Sequence, residues 1–186
     1  MSRNTIFKLF QTIVVFDNKV LLGRWKSGAF KNRISGCIGQ AINNKESLPE
    51  ASIRITKELT GLKLNPEFLQ LRALLNFIEL DNSTGSALML GDVYKEHQLY
   101  YDGDNHMKIE HFKENPNLNV LLEIKETELF IPQWYEINKI PYSEMPDDDI
   151  HWYKLFLDGN KLEGEFTFNG TKLEKYEVNI VKELKL

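Results

Sequence analysis

The stretch Gly39–Leu62, GQAINNKESLPEASIRITKELTGL, constrains this chain more than any other. It reads as a glycine-bearing loop that enters one amphipathic helix and stops at a glycine. Ser47 and Glu50 have the S-x-x-E spacing of a capping box, which predicts a helix start at about Leu48. Pro49 is compatible with that start, because first-turn amides have no intrahelical acceptor. Gly61 stands where a left-handed C-terminal cap belongs. Leu48, Ala51, Ile55 and Leu59 recur at spacings of three and four and make an apolar stripe. Glu46, Glu50, Arg54 and Glu58 step by four along a charged stripe. A surface helix with a solvated charged face accounts for that pattern as it stands.

A chain of 186 residues suits a single domain with a full core, spanning 1–186. A hydrophobic content of 42% with 27% charged residues is that of a soluble globular protein. The net charge of −4 argues against nucleic acid or an anionic membrane as partner. No apolar run is long enough to span a bilayer. The single cysteine, Cys37, cannot form an internal disulfide and reads as a small buried residue. MSRNTIFKLFQTIVVF moves directly into strand-like sequence without a signal-peptide layout, so the cytoplasm is the expected address.

Thr5–Phe16 reads as a strand, Asp17-Asn18 as a turn, and Lys19–Arg24 as the returning strand of a hairpin. Residues 25–33 read as a loop. Ile34–Ile42 carries Gly36 and Gly39, either turn glycines or positions where backbone amides approach a phosphate. Leu69–Leu80 and Ala87–Tyr94 read as strands around the turn DNSTGS. Residues 95–118 read as an irregular excursion and a candidate surface for a protein partner. It holds His97, His106 and His111, in no standard metal-ligand spacing. Phe130–Glu136 is a further strand. Asp147, Asp148 and Asp149 precede a helix over about 150–157, where aspartates suit orphan amides and the helix dipole. Leu162–Phe168 and Lys172–Leu184 alternate as a hairpin around Asn169-Gly170.

The 39–62 segment resembles the Nudix box, the loop-helix-loop signature of the Nudix hydrolases. Counted back from Gly61-Leu62, Arg54 takes the box arginine, Glu46 the first glutamate and Glu58 the first of the paired glutamates. Gln40, Ile55 and Leu59 replace the box glycine and two further glutamates. The resemblance implies an α/β fold, a mixed sheet sandwiched between helices. It also implies magnesium held by carboxylates on one helix side. Magnesium takes oxygen ligands and neutralises phosphate charge; aliphatic groups supply no ligand at all. Glu58 and Glu46 are the remaining candidates to hold metal, and Glu58 is the catalytic candidate if the chain is active. Burial of Ile55 and Leu59 would instead contribute about 1.5–3 kcal/mol each.

The segment IPYSEMPDDDIHWYKLFLDGNKLEGEFTFNG, with VLLGRWKSGAF and RISG, is similar to the oxidised-purine nucleoside triphosphate (8-oxo-dGTP) hydrolase subfamily. That resemblance places the base-reading aspartate pair on Asp148 and Asp149. It puts a base-reading asparagine on Ser35 and the base-stacking tryptophan on Pro146. A further metal-region glutamate falls near Leu129, beside Glu128. Trp152 matches a helix tryptophan and reads as a packing residue.

Two readings stay open. One is a catalytically degenerate Nudix-fold protein, a structural or partner-binding subunit with residual nucleotide binding and no cofactor. The other is an active magnesium-dependent diphosphatase acting on a nucleoside triphosphate or other nucleoside diphosphate derivative, with Glu58 and Glu46 helped by Glu50 or Glu128. Convergence of those four glutamates on one cavity would favour activity; apolar closure by Ile55 and Leu59 would favour degeneracy.

Overall fold

The structure, a computed structural model, describes residues 7–42, 46–80, 93–102 and 123–185. Strand β1 (Phe7–Phe16) and strand β2 (Lys19–Trp25) form the expected antiparallel hairpin, with Val15 opposite Val20. Asp17 and Asn18 both adopt positive φ, 47° and 56°, as a tight turn matched to strand twist requires. The short β3 (Ile34–Ser35) pairs with β2, and β4 (Cys37–Gln40) returns along β1. Helix α1 (Leu48–Thr60) follows, then β5 (Leu69–Glu79), β6 (Val93–Asp102) and β7 (Phe130–Glu136). Helix α2 (Asp149–Leu157) precedes the hairpin of β8 (Lys161–Asn169) and β9 (Lys172–Val181). The strands run in the order β3-β2-β1-β6-β5-β8-β9, with β4 also on β1 and β7 also on β2. The β1–β6 and β5–β8 pairs are parallel and the others antiparallel, so the sheet is mixed.

The two helices cover opposite faces of this sheet. Side chains alternate along β1. Phe10, Thr12 and Val14 point to the α1 side, where Thr12 Oγ1 lies 2.5 Å from Ser52 Oγ. Gln11, Ile13 and Val15 point to the α2 side, where Gln11 Nε2 donates to Tyr153 Oη at 2.8 Å. Burial on both faces explains the near-continuous apolar run LFQTIVVF. The main core lies on the α2 side, where Ile13, Val20, Leu22 and Leu75 meet Trp152, Tyr153 and Phe156. Among the described residues, no helix is long and apolar enough to cross a membrane.

Two expectations need correction. The strand expected to end at Tyr94 continues through Asp102, so residues 95–102 lie in the sheet rather than in an irregular excursion. Their sequence, KEHQLYYD, has weak strand character at its start. β6 is nevertheless paired along both edges, from Phe7↔Tyr94 to Val15↔Asp102 and from Leu69↔Tyr101 to Ile78↔Val93. Backbone satisfaction on two sides outweighs propensity there. The rest of the excursion, 103–118, lies outside the described residues, as does the 81–86 turn. The second correction concerns Asp148, at the N-cap of α2. It has helical φ and ψ, −78° and −28°, and makes no side-chain cap bond. Its carboxylate instead accepts from Trp152 Nε1 at 3.0 Å, one turn along.

Helix α2 is anchored at its other end by a residue with no sequence signal. Arg72 occupies a bulge where the β5–β6 register shifts between Leu71 and Ala73. Its Nη2 donates to the carbonyls of Phe156 at 3.0 Å and Asn160 at 3.1 Å, and its guanidinium lies 5.2 Å from the Phe156 ring centroid. A cation at a helix C-terminus opposes the dipole and satisfies orphan carbonyls. Replacing Arg72 by methionine keeps much of the packing but removes the charged donor from both carbonyls, leaving Phe156 O with the Gly159 amide at 3.1 Å. Urea unfolding of Arg72→Met should show a loss of about 2–4 kcal/mol. Lys154→Met, which breaks an exposed pair with Asp158, should cost no more than about 1 kcal/mol. Equal costs for the two variants would refute the anchoring role.

Candidate functional site

The α1 end begins with the capping box. The Ser47 side chain accepts from the Glu50 amide, while Glu50 Oε2 accepts from the Ser47 amide at 2.8 Å and its hydroxyl at 2.7 Å. Gly61 closes the helix at φ 78°, its amide donating to Lys57 O. Glu50 is thereby committed to the helix start. Glu46 is committed as well. Its two carboxylate oxygens accept from Arg54 Nε at 2.7 Å and Nη2 at 2.9 Å, and the Ile42 amide donates to Oε2 at 2.7 Å. The Arg54 bonds, then the Ile42 amide, hold the Glu46 carboxyl down at about 2. Arg54 Nη2 also donates to the Gln40 carbonyl at 3.0 Å. Glu58 is exposed and meets Arg54 Nη1 at 3.4 Å.

The side of α1 that carries positions 55 and 59 is apolar. Leu59 is buried with Cys37 and Phe130, and Ile55 and Trp25 pack against the same cluster. Gly39 is where the sheet admits Ile55: a Cβ on Gly39 would lie 2.7 Å from Ile55 Cγ1. A Cβ on Gly36 would lie 2.8 Å from the Thr12 carbonyl oxygen. Both glycines therefore have packing reasons. The expected stripe is also wider than the apolar residues, since Ser52, Thr56 and Thr60 are buried on the same face. Burial pushes the Cys37 thiol up to about 12, so it is an inert core residue.

These residues do not fit the metal cluster implied by the resemblance. Position 55 packs on the sheet, position 59 is core, Glu46 is clamped by Arg54, and Glu50 is in the cap. Glu128 is exposed on the turn before β7, where Thr127 Oγ1 accepts from the Leu129 and Phe130 amides. Among the described residues, no group of three or more His, Cys, Asp or Glu side chains is placed to hold a metal ion. Among the described residues, the four glutamates therefore do not gather in one cavity.

The opposite end is a formed cavity of about 370 Å³ between the β1–β3 region, the loop before β3 and the start of α2. Ser35, Asp148 and Asp149 all line it, as does Pro146. Phe30, Phe77 and Phe168 supply apolar wall, Phe77 being stacked 6.2 Å from Phe168. Ser35 Oγ receives Trp25 Nε1 at 2.8 Å and donates to Gly36 O at 2.9 Å, so its remaining capacity is as an acceptor. Asp148 and Asp149 are both buried. Burial pushes the Asp148 carboxyl up to about 6, with the Trp152 bond opposing. Trp152 is thus packing residue and polar partner of Asp148 at once. Arg33 sits beside them, its Nη1 donating to Met145 O at 3.0 Å and its Nη2 3.9 Å from Asp147 Oδ1. Sequence reasoning missed Arg33 and Gln11. Gln11 had a visible signal, a lone amide inside an apolar strand, which must find partners when buried.

Two experiments test this geometry. Gly39→Ala should destabilise the chain by about 1–3 kcal/mol through its clash with Ile55. In an Ile55→Ala background the same change should be nearly neutral; an undiminished cost would show that Ile55 does not occupy that space. A carboxyl raised on folding favours the native state when protonated. That contribution is fully present below about pH 4 and is lost as pH rises through about 6. At about 1.4 kcal/mol per tenfold change in proton affinity, it amounts to about 3 kcal/mol. Asp148→Asn keeps an acceptor for Trp152 and should be more stable than the parent at pH 7 by up to that amount, the gap closing toward pH 4. Parallel stability–pH profiles for the two proteins would rule out a raised Asp148.

No family model matches the chain. It is 29% identical over 158 residues to the oxidized purine nucleoside triphosphate hydrolase of Danio rerio, covering 85% of this chain and 84% of that protein. A 43-residue segment is 37% identical to the Mus musculus enzyme of the same name, covering 23% and 28% of the two chains. Among solved structures, the mutator MutT protein from Bacillus halodurans superposes with a TM-score of 0.66 at 15% identity, over 94% of this chain and 98% of that one. The NUDIX domain of Shewanella oneidensis NrtR, solved with ADP ribose, superposes with a TM-score of 0.56 at 12% identity, over 83% and 88%. A bifunctional NMN adenylyltransferase/ADP ribose pyrophosphatase from Francisella tularensis, solved with AMP and a manganese ion, gives 0.56 at 16% identity, over 85% and 43%. The chain has the Nudix fold, and over most of its length its sequence resembles an oxidized purine nucleoside triphosphate hydrolase.

Proposed function

We propose that this chain is a catalytically degenerate Nudix-fold protein that keeps a purine-sized binding cavity and serves as a cytoplasmic structural or partner-binding subunit. The carrying observation is the packing of Ile55 against Gly39 and of Leu59 into the core with Cys37 and Phe130. Hydrolysis of a phosphoanhydride needs charge neutralised on the phosphates and a water activated beside them. On α1 and just before it, the groups that could serve are a glutamate clamped by Arg54, a glutamate in a helix cap and one exposed glutamate. The cavity lined by Ser35, Asp148 and Asp149 gives the protein something to bind. Of the 95–118 segment, residues 103–118, which follow β6, are proposed to meet a protein partner.

The test is release of pyrophosphate and phosphate from unmodified and oxidised purine nucleoside triphosphates and from dinucleotide cofactors. It is run with magnesium and with manganese, with Glu58→Gln as the matched control. The expected result is no release above that control. Turnover that disappears in Glu58→Gln would overturn the degenerate reading and make the chain an active magnesium-dependent diphosphatase with Glu58 as its metal-binding carboxylate.

A further inference from the structure

We propose that the outer edge of β9 is a self-association surface, on which a second copy of this chain lays its own β9 antiparallel, with the two-fold axis at Val178. The proposal does not depend on the degenerate reading, since association and turnover are measured separately. An edge strand presents a row of open amides and carbonyls, and proteins normally blunt it with proline, lysine or a short length. Beyond β2 the outermost described strand is β7, which carries Pro132 and so lacks an amide donor there. β9 is ten residues long and holds no proline, and among the described residues only β8 pairs with it. Its lysines, Lys172 and Lys175, lie toward the turn, which leaves 176–181 without a cation. After Val181 the chain bends back, and the Lys185 amide donates to Glu163 Oε1 of β8 at 2.7 Å.

The register follows from the side chains. The β8–β9 ladder shifts once, between Thr167 and Phe168, and is regular from Lys175 to Val181. A two-fold axis perpendicular to the sheet keeps the two α2 faces together and sets residues of like face opposite each other, so it passes through a residue. Within 175–181 only an axis at Val178 engages the whole stretch. That register sets Tyr176 opposite Ile180 twice, on the side where Tyr176 stacks on His151 of α2 at 3.9 Å. Tyr176 is 49% and Ile180 59% exposed, the two large exposed apolar side chains of the strand, and each covers the other across the junction. On the other face Lys175 meets Val181 and Glu177 meets Asn179. Glu177 already stands opposite Glu165 of β8, so a neutral amide suits its outer side. An axis at Glu177 or Lys175 would instead oppose like charges. An axis at Tyr176 or Asn179 would part Tyr176 from Ile180.

Each copy's open edge is used by the other, so assembly closes at two. A junction built on one strand pair is a small and therefore weak interface, so sedimentation equilibrium of the full chain is run from about 5 to about 500 µM. The expected result is a reversible approach to twice the monomer mass, with no larger species. Ile180→Lys, at an exposed position, should leave the circular dichroism and Tm unchanged and weaken association about tenfold or more. Oxidative cross-linking of single-cysteine variants reads the register, the native Cys37 being buried. Glu177→Cys mixed with Asn179→Cys, both at exposed positions, should cross-link. Lys175→Cys alone should not, since its two copies lie about 20 Å apart in this register. A monomer over the whole range would overturn the proposal, and so would a dimer that Ile180→Lys leaves intact. Assemblies that grow beyond two, or cross-linking at position 175 as ready as that between 177 and 179, would overturn it as well.

Discussion

The double burial of β1 is the constraint on which the rest of the structure depends. Every second side chain of that strand fixes one helix. Thr12 meets Ser52 of α1 at 2.5 Å, and its neighbour Gln11 donates to Tyr153 of α2 at 2.8 Å. Both contacts are polar, short and buried, so neither helix can shift along the sheet without stranding a hydrogen-bonding group. The same strand carries β4 on one edge and β6 on the other, as well as the turn to β2. The cavity and the α1 face are therefore held in one frame, one on each side of the sheet.

That frame explains which parts of the fold were legible in the sequence. Local chemistry was: Ser47, Glu50 and Gly61 mark both ends of α1 because cap geometry needs only neighbouring residues. Asp17-Asn18 marks its hairpin for the same reason. What escaped depended on partners distant in sequence. Arg72 reads as a polar residue in a strand, and only the β5 bulge turns it into an anchor for carbonyls 84 and 88 positions away. Asp148 reads as a cap. Yet α2 carries an indole one turn along at Trp152, and a buried carboxylate accepting from a buried donor is preferred to one bonding a first-turn amide. The expected strand stops at Tyr94 because Lys95–Gln98, inside β6, lacks strand character, while the neighbouring strands supply ladder bonds on both edges. The stripe of α1 is wider than expected because an apolar-stripe argument counts aliphatic residues and ignores hydroxyls that bond inside the interface, as Ser52 and Thr60 do. Thr60 Oγ1, for example, donates to Thr56 O at 2.6 Å.

The candidate site was legible to a different degree at its two ends. Ser35, Asp148, Asp149 and Pro146 came from a resemblance spread over most of the chain, and they share one cavity. Glu46 and Glu58 came from helical spacing together with the box resemblance. Spacing placed Glu46, Arg54 and Glu58 together, which they are, but the arrangement is an ion-pair network and not a metal-binding cluster. Helical periodicity gives adjacency; it does not give the third partner. Here the third partner is Arg54, which spans both glutamates and the Gln40 carbonyl.

The two ends also differ in what one substitution can achieve. A carboxylate at position 59 would place charge in the cluster with buried Cys37 and Phe130. Burial of an unpaired carboxylate shifts its proton affinity until it is neutral, and a neutral acid is a poor ligand for magnesium. Packing at position 59 therefore opposes a charged side chain there. At the cavity the reverse holds. The aspartates there already occupy buried positions with an indole donor beside them, and the walls are apolar. The cavity aspartates therefore have an indole donor and apolar walls around them, whereas position 59 has apolar neighbours.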